Sequence, residues 1–258
     1  GQPTTTTAPL PAPMEQPATS ATAAPETEAG NAVTAIDEAG LRFAYDPALA
    51  TGVTVETVPA EEPSPDAGWW MVHPQHRRAS FAGYPSRNLY HQPHVAIYPA
   101  EEFAAMSETA AQQIGALKTL LAEQPAAPEE ELPVLPLINA AQVIQPQVRY
   151  LPFANGTGVR FVTQYNQDAG PISNQGLFYT FQGLTAGGRF YVSAIFPVTS
   201  PALPDDPVPV IKENPEDFAE GHLTYLAETE DQLDALSAED FEPNLDQLDA
   251  LIQSLEVR

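Results

Sequence analysis

The sequence contains no cysteine, which excludes disulfide frameworks, thiolate zinc sites, iron–sulfur clusters and cysteine nucleophiles. Cations are nearly as scarce: ten Lys and Arg stand against 34 Asp and Glu, giving a formal charge of −24. So acidic a chain repels phosphate backbones and anionic lipid headgroups, and nucleic acid is excluded as a partner. No stretch approaches the roughly 20 apolar residues that span a bilayer. There is no nucleophile elbow, no H-E-x-x-H zinc motif, no phosphate-binding P-loop, no dinucleotide fingerprint and no EF-hand calcium loop. No cofactor is expected. What is abundant is proline, 28 residues, about twice background usage, so part of the chain is not core.

The prolines begin at once. The first thirty residues hold seven Thr, seven Ala and six Pro, with no aromatic, Lys or Arg. Such a stretch cannot bury enough apolar area to offset its ordering entropy, about 1–2 kcal/mol per residue for the backbone. Residues 1–32 are therefore expected to form a disordered tether, and residues 33–258 a single domain, expected to be monomeric. The opening Gly in place of Met suggests a removed export leader. A Thr/Pro/Ala tether is common on exported bacterial proteins held by a lipidated Cys, so an extracytoplasmic, membrane-anchored or secreted protein is expected. The alternative is an ordinary flexible tail on a cytosolic protein.

All 22 aromatic residues lie beyond position 42. Two-residue periodicity between Pro and Gly breaks predicts strands at 41–45, 53–58, 69–72, 79–84, 94–98, 148–151, 158–162, 177–181 and 189–195. Asn155-Gly156 predicts a type I′ hairpin, and Gly183–Gly188 a second short connection, so neighbouring strands should be antiparallel. From Ala100 to Glu123 the period changes: Phe103, Met106, Ala110, Ile114, Leu117 and Leu121 recur at helical steps. Five prolines in the insert 124–146 predict an extended connection wrapping the surface, with room for one helical turn at 138–144. The acidic segment 213–258 is predicted helical, and its hexapeptide DQLDAL, repeated at 231–236 and 246–251, reads as two similar turns packing on one sheet. The result is an α+β fold, an antiparallel sheet with helices packed on its faces.

That order, with Gly40-Leu41-Arg42-Phe43-Ala44-Tyr45-Asp46-Pro47 at its start, Gly188-Arg189-Phe190-Tyr191-Val192-Ser193-Ala194 late in the sheet and Leu248-Asp249-Ala250-Leu251-Ile252-Gln253-Ser254-Leu255-Glu256-Val257 at its end, resembles the PsbP-like fold family. The fold is shared with the Ran-binding nuclear import factor family. The resemblance implies an α-β-α sandwich and an interaction or scaffold role, and it brings no catalytic residues. The insert 124–146 and the acidic segment after Pro197 depart from the pattern.

Three groups of residues could carry chemistry. His73, His76, His91 and His94 fall within 22 residues, and neutral imidazoles suit zinc, copper or nickel. However, Pro74 and Pro93 prevent either pair from sharing a helical turn, and hydrogen bonding at strand ends explains them equally. Arg77, Arg78 and Arg87 with Tyr84 and Tyr90 make the one basic, aromatic patch in an acidic chain, apt for an anionic group or a partner's acidic surface. Seven side-chain amides lie between 155 and 182, among them Asn155, Gln164, Asn166 and Gln182, with Tyr165 and Tyr179 nearby. Amides beside aromatics suit sugars or peptide backbones, because they donate and accept at once; the same residues are also common in turns. The leading expectation is a non-enzymatic binding or scaffold domain for a protein partner or polar ligand. The alternative is a metal-dependent or hydrolytic enzyme using the histidines.

Overall fold

The computed structural model describes residues 33–66, 68–208 and 215–258, all within a compact unit Ala32–Arg258. The expected tether at 1–32 lies outside the described residues. Among the described residues the elements are β1 Thr34–Glu38, β2 Leu41–Tyr45, β3 Gly52–Val58, β4 His76–Ala82, β5 His94–Pro99, α1 Ala100–Met106, α2 Glu108–Glu123, β6 Ala141–Ile144, β7 Arg149–Phe153, β8 Gly156–Asn166, β9 Phe178–Thr185, β10 Phe190–Pro197, α3 Pro215–Asp234, α4 Leu245–Gln253 and β11 Glu256–Val257. The main sheet runs β3-β4-β5-β10-β9-β8-β6, with β7 also on β8, and every pairing is antiparallel. A small sheet β1-β2-β11 joins the two ends of the unit.

Alternation along the central strands fills both sides of the sheet. Val159 and Phe161 of β8 and Tyr191 of β10 pack under Phe103, Ile114 and Leu117 of α1 and α2. Val162, Tyr179, Phe181 and Val192 face the other way, against Leu248, Leu251 and Ile252 of α4 and Leu41 and Phe43 of the small sheet. An antiparallel sheet buried on both faces is what α+β means here. Both copies of DQLDAL reach that second core: Leu233 at the end of α3, and Leu248 and Leu251 inside α4.

Several elements differ from their expected form. The apolar run at 69–72 is a single 3-10 turn, Trp69–Met71, because Gly68 lets the Trp70 indole fold back over the chain; a Cβ there would fall 2.5 Å from the ring. The long helix breaks at Ser107, whose extended backbone separates α1 from α2 while its hydroxyl accepts from Ala110 N–H and caps α2. The insert 124–146 is extended yet does not wrap the surface: Leu132, Val134, Leu135 and Leu137 are buried in the α2-side core. Where one helical turn was expected, Ala141–Ile144 is β6. The hairpin near Asn155 exists, but its loop is Ala154-Asn155, and neither residue has positive φ. Gly156 is required instead by close packing, since a Cβ would strike the Phe153 ring and the Leu184 carbonyl. The turn with positive φ at both positions is Ala39-Gly40, between β2 and the unexpected β1.

Candidate binding cleft

The fold sends the three expected groups to different places. The four histidines form no metal set: among the described residues, no three His, Cys, Asp or Glu are placed to hold an ion. His73 and His76 stack edge-to-face at 4.7 Å and both turn Nδ1 to the Pro74 carbonyl, and His94 Nδ1 bonds the Gln92 carbonyl. Burial pushes His76 and His91 down to about 4 and lowers His94, so all three stay neutral at neutral pH.

The basic patch is likewise dispersed. Alternation along β4 puts Arg77 and Arg78 on opposite faces of the sheet. Arg77 Nη1 donates to Ala39 O and Arg258 O, and its guanidinium lies 5.0 Å over the Phe190 ring. Arg78 pairs with Glu56 and Arg87 with Asp205. Tyr84 is buried, its hydroxyl donating to Pro197 O at 2.8 Å. No common anion site results.

Among the expected site residues of the amide region, Asn155, Gln182 and Tyr179 are structural. Asn155 pairs its side chain with both N–H and C=O of Val257, extending the β11 ladder. Gln182 is buried under the insert, accepting from Leu135 N–H and the Tyr191 hydroxyl and donating to Thr180 and Ser193. Tyr179 is buried and donates to Asp249. These residues are unavailable to a ligand.

Gln164, Asn166 and Tyr90 do meet, in a cleft of about 630 Å³ at the end of β8 that also draws in Trp70, His91, Asn139, Tyr165, Asp168, Ser173 and Gln175. Each wall has a physical cause. Gln164 fixes the loop after β8: its Nε2 donates to Asn166 Oδ1 at 2.8 Å and Pro171 O at 3.1 Å, and its Oε1 accepts from Ser173 N–H. Gly176 leaves room for it, because a Cβ would lie 2.7 Å from the Gln164 side chain. Across the cleft, Asn88 Oδ1 accepts from the N–H groups of Tyr90 and His91, while its Nδ2 holds Leu177 O. The loop thus presents Tyr90, 76% exposed, at the rim. Beneath, the Phe178 ring carries His91 at 4.3 Å and stacks with Tyr165 at 6.1 Å.

A second, more open depression of about 660 Å³ lies by Lys118 and the hairpin turns. Its one expected site residue, Asn155, is committed to Val257, so the cleft at β8 is the better candidate. Sequence reading singled out Gln164, Asn166 and Tyr90 but not Trp70 or His91 as neighbours of the amides. Trp70 and Gln164 are 94 positions apart, and only the sheet order brings them together. No helix among the described residues is long and apolar enough to cross a membrane. Comparison with protein-family models, with curated proteins and with solved structures finds no match, so the cleft's chemistry is the guide to what it holds.

Proposed function

We propose that the chain is a non-enzymatic binding domain, exported or surface-tethered, that takes a polar ligand or a partner's polar surface in the cleft at the end of β8. One observation carries this reading: aromatic faces and uncharged polar side chains from residues 70–91, 137–140 and 164–176 converge on a single opening. Catalysis would call for a nucleophile hydrogen-bonded to a base. Among the described residues, the His91 imidazole makes no hydrogen bond to Ser173 or Asp168. The Thr/Pro/Ala composition of residues 1–32 supports the tether and the export. The antiparallel sheet with helices on both faces is the α-β-α architecture such a binding domain would have.

The test is a mixed array of glycans and peptides probed with the full chain and with its Tyr90→Ala and His91→Ala variants. The expected result is one class of spot retained by the unmodified chain, weakened in both variants, and recovered chemically intact. Equal retention by the variants, or conversion of the bound compound, overturns the reading.

A further inference from the structure

Resting on the binding reading above, we infer that the cleft at the end of β8 is built for a neutral oligosaccharide. Among the described residues its lining holds no Lys or Arg and a single carboxylate, Asp168, so none of them neutralises a phosphate, sulfate or carboxylate. The nearest arginine in the rim loop, Arg87, is already paired with Asp205.

The polar groups left over have the character that sugar hydroxyls match. Gln164 spends both Nε2 protons on Asn166 Oδ1 and Pro171 O and so shapes the cleft, while Asn166 gives one N–H to Gly170 O and keeps the other. The side chains of Gln175 and Asn139 make no hydrogen bond among the described residues, and Gln167 uses only its Nε2, on Asn139 O. The His91 ring is equally unoccupied and uncharged, offering one donor and one acceptor. Each of these groups both donates and accepts within one planar unit, as a ring of hydroxyls does.

Sugars also present apolar C–H faces, and these need flat aromatic partners. Trp70 is fixed by its fold over Gly68, Tyr90 stands out at the rim, and Tyr165 is held by Phe178 on one side and by the Gln142 amide on its hydroxyl. Two held rings, Trp70 and Tyr165, and a third exposed at the rim, Tyr90, interleaved with free amides, favour a chain of several sugar rings over a single one. A peptide that adds to a strand edge fits less well, because Gln164, Tyr165 and Asn166 of β8 already pair with β6 and most of the remaining walls are loops.

The experiment is affinity electrophoresis and calorimetry of the full chain against three probe sets. The first is neutral hexasaccharides of glucose, mannose and N-acetylglucosamine; the second, unstructured polar peptides; the third, heparin fragments. Tyr90→Ala and Gln175→Ala serve as variants, since both positions lie outside the core and should leave melting unchanged. At least one neutral hexasaccharide should bind, with each variant weakening it about tenfold, while heparin fragments do not bind. Binding of peptides alone, lost in the variants, rejects the oligosaccharide and keeps the binding domain. No binding by any probe rejects both. Sugar binding that neither variant weakens rejects this cleft as the site.

Discussion

Arg160 in β8 and Asp249 in α4 form a two-pronged ion pair inside the domain: Nε to Oδ1 at 3.0 Å and Nη2 to Oδ2 at 3.1 Å, with 0% and 6% of their side chains exposed. Tyr179 donates to the same carboxylate at 3.0 Å, and the third guanidinium nitrogen, Nη1, donates to Gln147 O. Gln147 in turn bonds Asp234, and its amide gathers the carbonyls at the end of α3. Asp234 and Asp249 occupy the same position in the two DQLDAL copies. The repeat is therefore two attachment points of the helical segment, one exposed and one buried, joined through Gln147 and Arg160.

Removing one partner of a buried pair leaves the other charge uncompensated, at about 3–5 kcal/mol. Asp249→Ala should lose stability of that order in urea unfolding. An Arg160→Met, Asp249→Leu double variant should lose less than Asp249→Ala alone, because no orphan charge remains. A loss below about 1 kcal/mol for Asp249→Ala would show that the pair does not hold α4 to the sheet.

The buried histidines set an acid limit. Burial is the main cause of the lowered values of His76 and His91, with His94 contributing to both and His73 and Arg78 to His76. Their folded values, about 4, lie below the ordinary 6.5, so the unfolded chain binds more protons between them. The stability they contribute is complete above pH 6.5 and is lost as pH falls toward about 4. Melting temperature should drop over that window, and His76→Asn should flatten the drop relative to the unmodified chain. Imidazole titrations near 6.5 by NMR would contradict this.

Gln182 bridges the insert to the sheet. Gln182→Met fills the space but leaves Leu135 N–H and the Tyr191 hydroxyl without their acceptor. Each orphaned buried group costs about 1–3 kcal/mol. A loss of about 2–4 kcal/mol is expected, together with faster hydrogen exchange at Leu135. Unchanged exchange there would mean the insert is held by its leucines alone.

Asn155 tests the division between structural amides and those of the proposed binding cleft. Asn155→Ala breaks both bonds to Val257 and should lower stability by about 1–2 kcal/mol, while binding at the cleft stays as it was. A variant that melts normally but loses ligand would reverse these roles.

Fold class and most strand positions were legible in residue order alone. Apolar spacing of two against three or four fixes whether a segment presents one face as a strand or a helix, and that spacing is local. Residue order also marked Gln164, Asn166 and Tyr90. Which polar residues were already spent emerged from the folded chain. Asn155, Tyr179 and Gln182 look alike in sequence to cleft residues, and their partners Val257, Asp249 and Leu135 lie 102, 70 and 47 positions away. Hydrogen bonds over such separations follow strand order, to which side-chain periodicity is blind. The same holds for the insert: its prolines forbid a helix, but whether its leucines face water or core depends on the sheet beneath them.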